Sequence, residues 1–152
     1  MAQHDSATGA SGYAPELLRM IRAALEADDG PQAEAMLEAA YETLLGEEAE
    51  TICRTEEYRF LSLLLCTLRL SDAQLGLLAD LLLEEAMLHQ QQGRQAAAVD
   101  RLKKALDLQV FLNTQDTGLY SLHRMSRIGY LQALIQVLQE ASDQRGSSAY
   151  KA

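Results

Sequence analysis

Tryptophan is absent from this 152-residue chain, and proline and cysteine occur only twice each. Two prolines and nine glycines are too few for the succession of tight turns that a many-stranded β fold needs. The cysteines, Cys53 and Cys66, have neither CxxC spacing nor Cys or His partners at zinc-ligand intervals. They read as free thiols of a reducing cytoplasm, and Cys66, inside an apolar run, is expected to be buried and inert. The three histidines, His4, His89 and His123, stand in no HxxxH or HExxH arrangement. Glu85 and His89 share a helix face and read as a surface ion pair. The Glu-x-x-His pairs of di-iron bundles are missing. Neither a metal nor a cofactor is therefore expected. No GxSxG, P-loop or GxGxxG occurs, so an enzyme is not expected either. Long uncharged apolar runs are lacking too: Phe60 to Leu70 contains Arg69, and Leu75 to Leu88 contains Asp80, Glu84 and Glu85. Neither stretch is expected to span a membrane. The opening MAQHDSATGASG has no basic start or apolar centre, unlike a signal peptide.

What the chain does have is leucine and alanine. Hydrophobic residues make up 48% of it, enough to offset the entropy of ordering one domain. Their spacing predicts six helices. The first opens at Pro15, carries Leu17, Met20, Ile21, Ala24 and Leu25 on one stripe, and stops at Asp28-Asp29-Gly30. The second repeats Ala33, Met36, Leu37, Ala40, Tyr41 and Leu44 at threes and fours and ends at Gly46. An acidic connection follows, and Thr55 is expected to cap a third helix whose Tyr58, Phe60, Leu61, Leu63, Leu64, Leu65, Cys66 and Leu68 make it apolar nearly all round. That helix is expected to be central. Ser71-Asp72-Ala73-Gln74 reads as a capping box opening a fourth helix to about Gln92. Gly93 marks a turn, a fifth helix runs from about Arg94 to Asn113, and a sixth from about Leu119 to Ala141. The fold class is thus all-α, a compact bundle of about six helices with a long C-terminal one. The single domain covers residues 13–141, between tails at 1–12 and 142–152.

Small residues recur where the fourth and fifth helices would touch. Ala86, Gly93, Ala98 and Ala105, with Leu82 and Leu102, resemble the tetratricopeptide-repeat pattern, and Gln92 to Leu108 is similar to that family's second helix. The likeness lies within about residues 75–110, inside a helix-turn-helix unit spanning 72–113. The family's closing proline falls on Val110 and its first-helix tyrosine on His89. A looser similarity is to bacterial all-helical proteins of uncharacterised role that open with an Arg-Met-Ile helix, like Arg19-Met20-Ile21 here. The tetratricopeptide resemblance implies a partner groove on the inner face of the first hairpin helix, formed by Asp80, Leu83, Met87, Gln90 and Gln91. The family's carboxylate-gripping clamp is missing, because Leu83 and Met87 stand where a cation and an amide are needed. The groove would then suit an amphipathic helix with basic flanks, unless the chain's own final helix covers it.

The charge of -9 divides unequally: residues 1–90 hold 17 acidic and five basic residues, residues 91–152 five acidic and eight basic. Arg94, Arg101, Lys103, Lys104, Arg124 and Arg127 supply most of the positive end. With a sequence pI near 4.7 and no aromatics between these cations, nucleic-acid binding is not expected. Pairing of the cations with the glutamate-rich half is. The function these observations imply is a cytoplasmic, non-enzymatic protein-interaction or scaffold domain that takes a protein or peptide helix. The alternatives are a homodimer closed by the leucine-rich third and fourth helices, or a small-ligand pocket involving His89, His123 or Tyr120.

Overall fold

The computed structural model describes residues 15–115 and 120–151, with side chains over 15–115 and 122–143. The expected tail at 1–12 lies outside the described residues, as does the side chain of Tyr120; of the break expected at 114–118, residues 114 and 115 belong to α6 and the rest lie outside as well. Every described element is helical: α1 (residues 15–26), α2 (Gly30–Leu45), α3 (Ala49–Cys53), α4 (Glu57–Ser62), α5 (Asp72–Gln91), α6 (Gln95–Gln115) and α7 (Tyr120–Lys151). A π-turn, Leu63–Thr67, continues α4.

Local chemistry sets most of the boundaries. The Asp29 carboxylate accepts the Gln32 N–H at 3.3 Å and Pro31 follows at the first helical positions, which together open α2. Gly46, at φ +86°, closes it. The Ser71–Gln74 capping box forms in both directions, at 2.9 and 3.2 Å. At the end of α5 the Arg94 N–H reaches the His89 carbonyl and the Gly93 N–H reaches that of Gln90. This is a Schellman closure with Gly93 left-handed at φ +76°. The same pattern ends α1, where Asp29 N–H bonds Ala24 O and Asp28 N–H bonds Leu25 O. There Asp28, at φ +57°, takes the left-handed place, which aspartate tolerates better than most side chains. Gly30 serves closeness instead, since a Cβ there would lie 3.1 Å from Gln92 Nε2.

Packing runs in sequence through the molecule: α2 lies on α5, α5 on α6 and α6 on α7, with α3 against α2 and α4 against α6. The most extensive contact is α5 on α6. Leu75, Leu78, Ala79, Leu81, Leu82, Ala86 and Leu88 bury α5 on nearly all sides. Ala98, Leu102, Ala105, Leu108 and Leu112 present the buried stripe of α6. Small alanines on both helices permit the close approach, and leucines fill the remaining space.

Four expectations are corrected. The acidic connection is partly helical, because Ala49, Ile52 and Cys53 give α3 a buried stripe among its glutamates. Thr55 caps nothing; its hydroxyl donates to the Thr51 carbonyl at 3.1 Å, and Glu56 holds the N-cap position of α4 without a side-chain capping bond. The third predicted helix is peripheral, not central. Only Phe60 and Leu64 are buried, Tyr58 is 73% exposed, and Cys66 is exposed. A helix apolar all round matches no single partner face, and here α6 covers only one side while the π-turn rotates Cys66 and Thr67 outward. Finally, α7 runs past Ala141 to Lys151. No proline interrupts it, and Gly146 by itself costs a helix only about 1 kcal/mol.

The Gly93 turn yields a measurable consequence. Gly93→Ala forces a Cβ into the left-handed region and is expected to lower stability by about 1 kcal/mol and the melting midpoint by about 3 °C. An unchanged midpoint in thermal unfolding followed by circular dichroism would contradict the assignment.

Candidate functional site

Two polar centres are built into the bundle. The first contains part of the groove predicted from the sequence. Asp80 and Leu83 line a cleft of about 380 Å³ between α5, α1 and α7. Met87, Gln90 and Gln91 do not line it. Met87 is half-buried against the core, Gln90 is exposed, and Gln91 Nε2 donates to the Leu25 carbonyl at 2.9 Å, tying α5 to the end of α1. The inner face of α5 is thus shared by two of the chain's own helices. From α1, Arg22 bonds Glu84 at 2.6 Å; from α7, Arg127 bonds Asp80 at 2.6 Å. Burial raises the Asp80 carboxyl, and Arg127, His123 and Arg124 only partly offset this. The cationic start of α7 and the carboxylate of α5 therefore meet inside one chain.

Sequence reasoning missed the rest of the cleft: Leu18, Arg19 and Arg22 of α1, Gln109 of α6, and Tyr130 and Leu131 of α7. Only Gln109 carried a local signal. It stands on the apolar stripe between Ala105, Leu108 and Leu112, where a polar residue is out of place. The other residues come from α1 and α7, which are separated from α5 in sequence by other helices, and only packing joins them.

The second centre lies where α2, α3, α5 and α6 meet. Glu85 accepts Arg101 Nε at 2.9 Å on both oxygens and the Tyr41 hydroxyl at 3.1 Å. Arg101 also bonds Asp100, which pairs with Lys104 Nζ at 3.0 Å. Lys104, only 1% exposed, donates to the Cys53 carbonyl at 2.7 Å and lies 5.2 Å from the centre of the Phe60 ring. Charges of alternating sign thus run Glu85, Arg101, Asp100, Lys104. His89 Nε2 sits 3.4 Å from Glu85 without hydrogen-bond alignment, while its Nδ1 accepts from Arg94 Nε at 2.9 Å. The Glu85–His89 pair is therefore half-buried and not an open surface pair, with Tyr41 and Arg101 bonded to the same carboxylate. Burial alone would raise the Glu85 carboxyl, but His89 and Arg101 together outweigh it and hold the group below its ordinary value.

A cleft of about 440 Å³ opens over this centre, with glutamates of α2 and α3 at its mouth. Within it, burial keeps one thiol and one phenol protonated. Burial, then the charge of Glu85, pushes the Cys53 thiol up to about 12. The same two causes raise the Tyr41 phenol well above its ordinary value. His123 is exposed and does not join His89. Among the described residues no group of three or more His, Cys, Asp or Glu side chains could hold a metal ion. No helix among them is long and apolar enough to cross a membrane. As expected from the charge division, Arg101 and Arg127 pair with acids of the first ninety residues.

Comparison with protein-family models, with curated proteins and with solved structures gave no match for this chain.

The unequal burial of the two cysteines, both free, predicts selective alkylation. Iodoacetamide at pH 8 should label Cys66 in the folded protein and leave Cys53 unmodified until denaturant is added, as read by peptide mass spectrometry. Labelling of both at similar rates would contradict this packing. A second expectation concerns Asp107, which burial and the neighbouring Glu57 push up to about 6, Lys103 pulling the other way. Its folded value lies above the ordinary carboxylate value of 3.8, so folding takes up a proton between these limits. The stabilisation is full below about pH 4 and is lost as pH rises through about 6. Asp107→Asn should therefore be more stable than the parent at pH 7.5, with the difference vanishing at pH 4 in urea titrations. A pH-independent difference would contradict it.

Proposed function

We propose that this chain is a non-enzymatic protein-interaction domain, built on a tetratricopeptide-like hairpin, that engages a partner helix through the outer face of α7. One observation carries the reading. Leu122, Met125 and Val137 are 69%, 57% and 60% exposed. At 100° per residue they fall within an arc of about 120° on one helix. The opposite face of α7 is already seated through Leu131, Ile135 and Leu138. A helix apolar on both sides, anchored by one, offers the other as the kind of contiguous apolar surface that marks interaction sites.

The remaining features support the same class. Ala86, Ala98 and Ala105 lie buried in the α5–α6 unit, where the repeat family places small residues. The leucines expected to close a homodimer through the third and fourth helices are largely consumed elsewhere: Leu75, Leu78, Leu81 and Leu82 of α5 are core residues. Two free cysteines suit a cytoplasmic setting. A second reading, a homodimer, now attaches to α7, where Gly129 and Ala133 lie in the middle of the exposed stripe and would let a second copy of the helix approach closely.

A photo-crosslinking side chain tests this. Placed at Met125 or Val137 in the producing cells, it should give protein adducts, and placed at exposed Gln32 it should not. Leu122→Glu should abolish the Val137 adduct while leaving the melting midpoint unchanged. An adduct to the same chain selects the homodimer, and an adduct to another protein selects a separate partner. Absence of adducts from both stripe positions would overturn the proposal.

A further inference from the structure

The cleft between α1, α5 and α7 combines apolar walls with polar groups that the outer face of α7 does not use. Its walls are apolar where Leu18, Ala79, Leu83 and Leu131 meet. Gln109 also lines it, yet this residue is only 3% exposed. The Gln109 amide oxygen accepts from Arg124 Nη1 at 3.5 Å. Its amide nitrogen donates to no group among the described residues. A buried amide that bonds through its oxygen alone leaves two N–H donors facing a space that an acceptor atom can enter.

Charge narrows what that acceptor belongs to. The cleft is lined by the guanidiniums of Arg19, Arg22 and Arg127 and by the carboxylates of Asp80 and Glu84. Each carboxylate already has a guanidinium at 2.6 Å, so neither is left to attract a cation. Arg19 has no ion-pair partner among the described residues. The lining therefore holds one surplus positive charge beside apolar walls and an unused amide donor. The volume of about 380 Å³ lies at the small end of ligand pockets. It excludes a folded partner and admits a short chain or one ring.

We propose that this cleft binds a small carboxylic acid with an apolar body. The carboxylate answers the surplus guanidinium charge and offers an oxygen to the Gln109 amide, while the hydrocarbon part covers Leu18, Leu83 and Leu131. This site does not depend on the outer face of α7, and either can fail without the other.

The test uses the full chain and hexanoate as the probe, with hexylammonium and hexanol as controls of equal length. In nitrogen–proton correlation spectra, hexanoate should shift the Gln109 side-chain amide resonances along a saturable curve. Hexylammonium should not, and hexanol should bind more weakly than hexanoate. Arg19→Glu reverses the surplus charge from an exposed position and should weaken hexanoate at least about fivefold. Leu83→Trp fills the cleft and should abolish the shift; the exposed Arg19→Glu variant decides the matter if that chain fails to fold. The proposal is overturned if hexanoate leaves the Gln109 amide unmoved, if hexylammonium acts equally, or if Arg19→Glu binds hexanoate unchanged.

Discussion

The Lys104 ammonium is the constraint around which the rest is arranged. A charge withdrawn from water costs several kcal/mol unless partners replace its hydration. Asp100 supplies the countercharge, the Cys53 carbonyl a hydrogen bond, and the Phe60 ring a polarisable face. Each partner comes from a different place. Asp100 belongs to α6 itself, Cys53 ends α3, and Phe60 lies on α4. Satisfying one buried cation therefore helps fix where two short helices sit. The carbonyl at the end of α3 is also one that no intrahelical bond can satisfy, so the lysine and the helix end answer each other's need.

From Lys104 the alternation of charge continues through Asp100 and Arg101 to Glu85, and from there to Tyr41 of α2. Hydrophobic contact between α5 and α6 is the most extensive in the bundle, but it is poor at choosing one register among neighbours. Directional bonds from Glu85 to both α2 and α6 specify which turn faces which. Arg22–Glu84 and Arg127–Asp80 repeat the device on the opposite side of α5, where α1 and α7 arrive. The central hairpin is thus clamped by ion pairs on both flanks, and the clefts lie where the flanking helices diverge from it. Tertiary strain is taken at chain turns: Asp28 and Arg69 hold left-handed backbone without being glycine.

Helix existence was legible because its signals are local. The Ser71 box, Gly46 and the Gly93 closure each act within a few residues, and the structure uses all three. The hairpin of α5 and α6 was legible for the same reason, as its small residues lie within one span of chain. The third predicted helix misled because hydrophobicity measures how much surface needs covering, not what covers it. Its leucines are half-covered at an edge, and the nearly as apolar α5 takes the centre because α2 and α6 lie on two of its sides. Cys66, expected to be buried, is exposed for the same reason. Of the predicted groove, Asp80 and Leu83 line a real cleft, while Gln91 serves as a bolt to α1. Nothing in the α5 sequence distinguishes these roles, since the difference lies in α1 and α7.

The sequence by itself determined an all-helical chain, most helix ends, the hairpin at Gly93 and the unequal division of charge, because caps, turns and 3.6-residue periodicity act over a few positions. Tertiary structure alone decided which helix is central, which cysteine is sheltered, that Lys104 is buried, and that α7 seats one apolar face and leaves the other open. Those outcomes depend on competition among surfaces far apart in the chain, and only the packed structure resolves which surfaces win.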